Sequence, residues 1–270
     1  MRKKIFIAIL AMILLGPGLQ AQGLTADEIL AKVEGKGLMG GESGEVVATV
    51  RFTITEGDVT NVYAFRVYSA RGIEGKPDRS LIVYLEPELV AGTMFLTWAP
   101  SEGEVRMWLY LPALGLVKEL VSAEARQQEF IAGSGVTRED IAEGFKYRDD
   151  YAPELVGEEE VSGTTTYVIA LAPKKGHETE WTKIVLWVDK QHFVVLRTEF
   201  YDAEGALGKV IEAADFYADD LGYIPHKLTI RNLNSDNVAV LEILVREVAD
   251  IPDDYFDPEK LPTLEIPLTD

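Results

Sequence analysis

GEVVATVRFTITEGDVTNVYAFRVYSAR, residues 44–71, is the stretch whose reading decides the fold. Val46, Ala48, Val50, Phe52 and Ile54 fall on one side of an extended chain, and Thr49, Arg51, Thr53 and Thr55 on the other, because successive side chains of a strand point to opposite faces. Glu56-Gly57-Asp58 supplies turn chemistry, and the return strand puts Tyr63, Phe65 and Val67 on one face. Two such runs joined by a short turn predict half-buried antiparallel strands.

The same alternation continues downstream over 80–86, 93–99, 105–111 and 116–121, and again over 152–161, 164–172, 181–189, 192–201, 207–217, 224–233 and 238–248. Ser162-Gly163, Asp189-Lys190, Asp202-Ala203-Glu204-Gly205 and Asn234-Ser235-Asp236-Asn237 separate the runs, so sequential hairpins and an antiparallel meander are expected. Between the two groups, helical spacing predicts a short amphipathic helix over 137–144, with Ile141 and Phe145 four residues apart and able to share a face. Gly133-Ser134-Gly135 ahead of it reads as a hinge. Upstream, Thr25-Ala26-Asp27-Glu28 has the form of a capping box, followed by Ile29, Leu30 and Val33 at helical spacing, with Gly35 and Gly37 to end the helix.

At the N-terminus Arg2, Lys3 and Lys4 precede an apolar run from Ile5 to Leu15, then Gly16-Pro17-Gly18 and a small residue, Ala21. This predicts a secretory signal peptide over 1–21. A single domain is expected over 22–249. Pro252, Pro258, Pro262 and Pro267 mark 250–270 as an extended acidic tail, with a short helix at Asp257-Pro258-Glu259.

The 270 residues are 47% hydrophobic, enough for a sizeable core. Removing the leader leaves 23 basic residues against 45 acidic ones and moves the formal charge from −19 to −22. That balance argues against nucleic acid or an anionic membrane surface as partner, because both are held by Lys and Arg. The chain has no cysteine, which excludes disulfides, thiolate metal sites and the acylated cysteine of a bacterial lipoprotein. A protein free in the exported compartment is expected.

Catalytic and metal motifs are absent from the sequence. His177, His192 and His226 lack the second histidine of a zinc-protease helix, Gly133-Ser134-Gly135 misses the spacing of a nucleophile elbow, and Asp149-Asp150 and Glu158-Glu159-Glu160 lack a calcium-loop pattern. The central strands are more informative. Met94, Leu96 and Trp98 share one strand face, and Met107 and Leu109 share one face of the next. Two readings stand: ordinary core, or an apolar cavity in which methionine repacks around different shapes. On the cavity reading the lining comprises Phe52, Phe65, Met94, Leu96, Trp98, Met107, Leu109, Ile141 and Phe145. A ten-residue strand rises about 33 Å against about 15 Å for half a bilayer core, so acyl chains fit along such a sheet.

Met107-Trp108-Leu109-Tyr110-Leu111-Pro112-Ala113-Leu114-Gly115, followed by Lys118 and the Gly133-Ser134 segment, resembles the outer-membrane lipoprotein-sorting proteins, relatives of the periplasmic carrier LolA. Val185-Leu186-Trp187-Val188-Asp189, the Asp202–Gly205 hairpin and Phe256-Asp257-Pro258-Glu259 extend the resemblance over most of the chain. It implies a mainly β, LolA/LolB-like fold: an incomplete antiparallel barrel, or strongly curved sheet, with short helices covering its concave face. It also implies a monomeric, non-enzymatic periplasmic carrier without cofactor. The cargo would be a lipoprotein or lipid, received from an inner-membrane transporter and delivered to an outer-membrane acceptor. A lipid- or envelope-protein-sensing regulatory module, or an accessory protein of an RND-type transporter, is the alternative. An outer-membrane β-barrel is a further one, opposed by the Pro-rich C-terminus.

Overall fold

The computed structural model describes residues 23–37, 39, 44–101, 103–177 and 179–268. The expected signal peptide lies outside the described residues. After helix α1 (Ala26–Lys36) come strands β1 (Gly44–Glu56), β2 (Val59–Arg71), β3 (Asp78–Glu86), β4 (Met94–Ala99), β5 (Arg106–Leu111) and β6 (Leu116–Glu119). Two short helices, α2 (Ala123–Gln127) and α3 (Arg138–Glu143), precede β7 (Tyr151–Val161), β8 (Thr164–Pro173), β9 (Lys183–Asp189), β10 (Val195–Tyr201), β11 (Leu207–Asp219), β12 (Gly222–Asn232) and β13 (Asn237–Val248). All thirteen strands form one antiparallel sheet in the order β6-β5-β4-β3-β2-β1-β13-β12-β11-β10-β9-β8-β7.

The meander expected from the hairpins is thus two meanders joined at a central seam. The first runs outward from β1 to β6; the chain then passes to the far edge and returns from β7 to β13, which pairs with β1, Phe52 opposite Leu241 and Ile54 opposite Ala239. The segment 120–150 therefore connects the two edges. Because β6 and β7 are both edge strands, the sheet is not closed into a barrel, which removes the outer-membrane-barrel reading: an open edge leaves backbone groups that lipid cannot satisfy.

The connecting segment packs on one face of the sheet, called the front. Phe130 is buried where the rings of Phe95, Phe65 and Tyr84 approach it at 5.5, 5.7 and 5.7 Å between centroids. Leu120, Ile131 and Val136 join the same core with Val50, Phe52, Val67, Ile82 and Met107. Gly133-Ser134-Gly135 is pinned rather than hinged. The Glu129 carboxylate accepts from the backbone N–H of Gly133 at 2.7 Å and of Gly135 at 2.8 Å, Phe130 N–H donates to Val136 O at 2.8 Å, and Ser134 is buried. From the sheet, the buried Lys209 of β11 donates to Gly135 O at 3.1 Å and sits 4.3 Å from the Phe200 ring centroid. Hydrogen bonds to a charged group contribute about 1.5–3 kcal/mol. Glu129→Ala is expected to cost about 2–3 kcal/mol and lower the urea midpoint by about 1 M; an unchanged midpoint would show that the loop does not depend on that carboxylate.

Helix α1 also lies on the front, over the other half. Its capping box is complete, Thr25 Oγ1 accepting from Glu28 N–H at 3.2 Å and Glu28 Oε2 accepting from Thr25 N–H at 2.8 Å. Its apolar stripe, Ile29 and Leu30, packs on Ile169, Leu171, Ile184, Leu186 and Phe200 of β8 to β10. The Glu34 carboxylate ties it to the end of the connecting segment, accepting from Tyr147 N–H at 2.8 Å and Arg148 N–H at 3.0 Å.

The back face differs between its two halves. Residues 250–268, read from their prolines as an extended tail, are part of the fold: two short 3-10 turns, Asp253–Phe256 and Leu261–Thr263, carry Phe256 and Leu261 into a core with Tyr68, Leu81, Val83, Met94, Leu96 and Trp108. The prolines break helix and strand, but the apolar residues between them still bury against the sheet. Arg79 lies 4.5 Å from the Phe256 ring centroid while donating to Asp253 at 2.8 Å, and Trp98 Nε1 donates to Phe256 O at 2.9 Å. Over β8 to β12 the back is polar, with Arg197 bridging Glu199 and Glu212, and Trp187 Nε1 donating to Glu159 at 2.8 Å.

Candidate functional site

The site follows from how unevenly the front face is filled. Over β2 to β5 the connecting segment covers most of it, whereas between the seam strands and β9 to β11 neither α1 nor α3 reaches the sheet completely. An apolar cleft remains, with a cavity volume of about 160 Å³ and partly open to solvent. Its floor is Phe52 of β1, Ile211 of β11, Ile224, Leu228 and Ile230 of β12, and Leu241 of β13; Leu30 and Val33 of α1 form one wall, and Ile141, Phe145 and Tyr147 the other. Small-molecule pockets commonly enclose about 300–1,000 Å³ with a mainly apolar lining; the cleft shares that lining at a smaller volume.

Local conformation aims the second wall. Helix α3 starts at a capping box, Thr137 N–H donating to Asp140 at 2.9 Å and Asp140 N–H donating to Thr137 at 3.0 Å. It stops at Gly144 (φ 68°) and Phe145 (φ 57°), two successive left-handed residues. Glycine accepts that conformation freely, while a bulky side chain does so at a cost of about 1–3 kcal/mol. Phe145 bears that cost where its ring lines the cleft.

The nine residues expected to line a cavity separate into distinct places. Phe52, Ile141 and Phe145 meet in the cleft. Phe65 and Met107 are buried under the connecting segment, and Leu109 borders a smaller opening beside Tyr84 and Phe130. Met94, Leu96 and Trp98 are on the back, beneath residues 250–268. Strand register explains the division: Leu96 pairs with Trp108 and Thr97 with Met107, so the faces of Met94 and Met107 are opposite ones. The β11–β13 lining had no distinguishing sequence signal, since its alternation matches that of any half-buried strand.

A second cleft, with a larger share of polar and charged residues in its lining, adjoins the first, sharing Gly37, Ile141 and Gly144 with it. Ser69 of β2, Ser80 of β3 and Thr97 of β4 stand in register across its floor, and Glu143 and Lys146 line it from the end of α3. Glu143 makes no hydrogen bond or ion pair to any described residue. Burial, with the nearby carboxylates of Glu139, Asp150 and Asp140, pushes its carboxyl up to about 7, the Arg126 guanidinium opposing. Since 7 lies above the ordinary 4.5, the folded chain keeps a proton that the unfolded chain has released between these values, and stability falls as pH rises through that window. Glu143→Gln is therefore expected to raise Tm at about pH 8, by roughly 2–4 °C for each kcal/mol relieved, and to leave it unchanged at about pH 4. An equal shift at both would contradict a buried, protonatable Glu143.

The histidines occupy turns and strand surfaces. His192 Nδ1 is 2.8 Å from Asp189 in the β9–β10 turn and stacks on Tyr223 at 4.0 Å, His177 is 3.4 Å from Asp150, and His226 packs against Tyr217. Among the described residues no three His, Cys, Asp or Glu side chains gather as metal ligands.

Several solved structures share this open-sheet fold over most of the chain. A domain described as an outer membrane lipoprotein-sorting protein from Vibrio parahaemolyticus superposes with a TM-score of 0.75 at 25% identity, covering 87% of this chain and 97% of that one. A DUF1329 family protein from Desulfovibrio piger gives 0.75 at 26% identity, with 86% and 96% covered. A LolA superfamily protein from Nitrosomonas europaea gives 0.66 at 23%, with 87% and 98% covered. The chain itself belongs to the family whose model, described as an uncharacterized protein, matches residues 76–263. No curated protein matches the sequence significantly.

Proposed function

We propose that the protein is a soluble periplasmic carrier that holds acyl chains of lipoproteins or other lipids in the apolar cleft, for trafficking through the cell envelope. On this reading the front of the sheet is the concave face, α1 and α3 are its cover, and the N-terminal leader exports the chain. The observation that carries the proposal is the cleft itself: Phe52, Ile211, Leu228, Leu241, Ile141 and Phe145 converge from both meanders and the connecting segment on one unfilled apolar space. Each methylene transferred into it contributes about 0.8 kcal/mol, so a long chain binds with substantial affinity. The likeness to a lipoprotein-sorting domain over most of both chains supports the same class of cargo.

Hand-over from an inner-membrane transporter and on to an outer-membrane acceptor would account for release, which so apolar a site makes the costly step. Native mass spectrometry of protein purified from the periplasm is expected to show co-purifying lipid or lipoprotein. Consistently empty protein that also takes up no fluorescent fatty acid would overturn the carrier reading.

A further inference from the structure

We infer that the polar cleft beside the apolar one is a headgroup subsite, and that the preferred ligand is a phospholipid with a zwitterionic, ammonium-bearing head. The inference rests on the carrier reading above and names the ligand class of that site.

Continuity of the two clefts is the first observation. Gly37, Ile141 and Gly144 border both, so a molecule whose chain lies over Phe52 and Leu228 can place its polar end on the other side of the α3 terminus. Chemistry changes across that border. Ser69, Ser80, Thr97, Glu143 and Lys146 give this lining a higher share of polar and charged residues than its neighbour has, although the surface exposed in both is mainly apolar.

Charge supplies the second observation. Glu143 and Lys146 both line the polar cleft, yet they form no ion pair with each other, and neither makes a hydrogen bond or ion pair to any described residue. The remaining charged residues there are Arg71 and Asp78, paired at 3.2 Å, and Arg79, whose guanidinium lies on the back of the sheet against Asp253 and Phe256. A carboxylate and an ammonium with no partner among the described residues complement a head bearing both signs: an ammonium donating to Glu143 and a phosphate accepting from Lys146. A fatty acid or a purely anionic head would leave Glu143 without a partner, and half-burying an unpaired carboxylate is unfavourable.

The groups around Glu143 give the binding a pH dependence. Glu139 and Asp140 on α3, with Asp150 beyond it, hold it toward the protonated form; Arg126 on α2 opposes them; and Lys146, Arg71 and Asp78 share the cleft. An ammonium head favours the ionised carboxylate, so binding releases a proton and strengthens as pH rises through about 7.

The test compares lysophosphatidylethanolamine, lysophosphatidylglycerol and free palmitic acid, the lysolipids carrying the same palmitoyl chain, by displacement of N-phenyl-1-naphthylamine from the full-length mature protein. At about pH 8 the ethanolamine lipid is expected to bind at least about tenfold more tightly than the glycerol lipid, a preference that shrinks toward parity at about pH 5.5. Glu143→Gln is expected to abolish the preference at both pH values while still binding palmitic acid, and the wild-type pH profile reads the same effect without any variant. Equal affinity for the two lysolipids at about pH 8, or preference for the glycerol head, would overturn the inference and leave the carrier reading standing. Failure of every ligand, the naphthylamine probe included, would overturn both.

Discussion

The Ile141→Ser, Phe145→Ser double variant is expected to bind palmitic acid roughly 10- to 100-fold more weakly than the parent chain while unfolding within a few degrees of it. Both side chains are apolar, both line the cleft, and both remain partly exposed, unlike the fully buried Phe95 or Met107. Apolar surface left open in the empty protein is not yet contributing to folding; it becomes buried when a chain covers it. Fully burying a side chain of this size contributes about 1.5–3 kcal/mol, and half of that from each of the two residues gives about 1.5–3 kcal/mol of binding, or one to two decades of affinity. Equilibrium binding by tryptophan fluorescence and a thermal melt on the same sample separate the two effects. A large fall in Tm with undiminished affinity of the remaining folded protein would make this wall ordinary core.

Phe256→Ala is expected to do the reverse. Phe256 is 1% exposed on the back of the sheet, where it meets Arg79 and the apolar face of Met94, Leu96 and Trp108. Truncating a buried phenylalanine costs about 3–5 kcal/mol, which at roughly 2–4 °C per kcal/mol lowers Tm by about 6–20 °C. The variant should nevertheless bind palmitic acid as the parent does while folded, since the whole sheet separates Phe256 from the cleft. A shift of under about 1 °C in a calorimetric scan would return residues 250–268 to the status of a dispensable tail.

The strands were legible because alternation is a local signal. Val46 to Ile54 and Tyr63 to Val67 do face one side together, and the helices at Ala26–Lys36 and Arg138–Glu143 begin where their capping boxes stand. Pairing beyond the hairpin is not local, so the seam between β1 and β13 and the passage of 120–150 between the two edges had no signature in any short window. The mis-assigned faces of Met94, Leu96 and Trp98 have the same origin: which face of β4 matches which face of β5 depends on a one-residue register, and composition is blind to it. Prolines misled at the C-terminus, because they exclude regular elements without excluding burial, and Phe256, Leu261 and Ile266 needed only a back face to cover. At the candidate site, Phe52, Ile141 and Phe145 were within reach of sequence reasoning, the last two from helical spacing. Ile211, Leu228 and Leu241 became visible only once the two meanders met.

The central claim is that an acyl chain occupies the space between α1, α3 and the seam strands. It is tested most directly by irradiating the protein with a palmitic acid analogue carrying a diazirine at its chain terminus and mapping the labelled residues by mass spectrometry. Labelling of cleft residues such as Phe52, Ile211, Leu228 or Leu241, competed away by unlabelled palmitic acid, is the expected result. Labelling confined to the back face or the strand edges, or unaffected by the competitor, would contradict it.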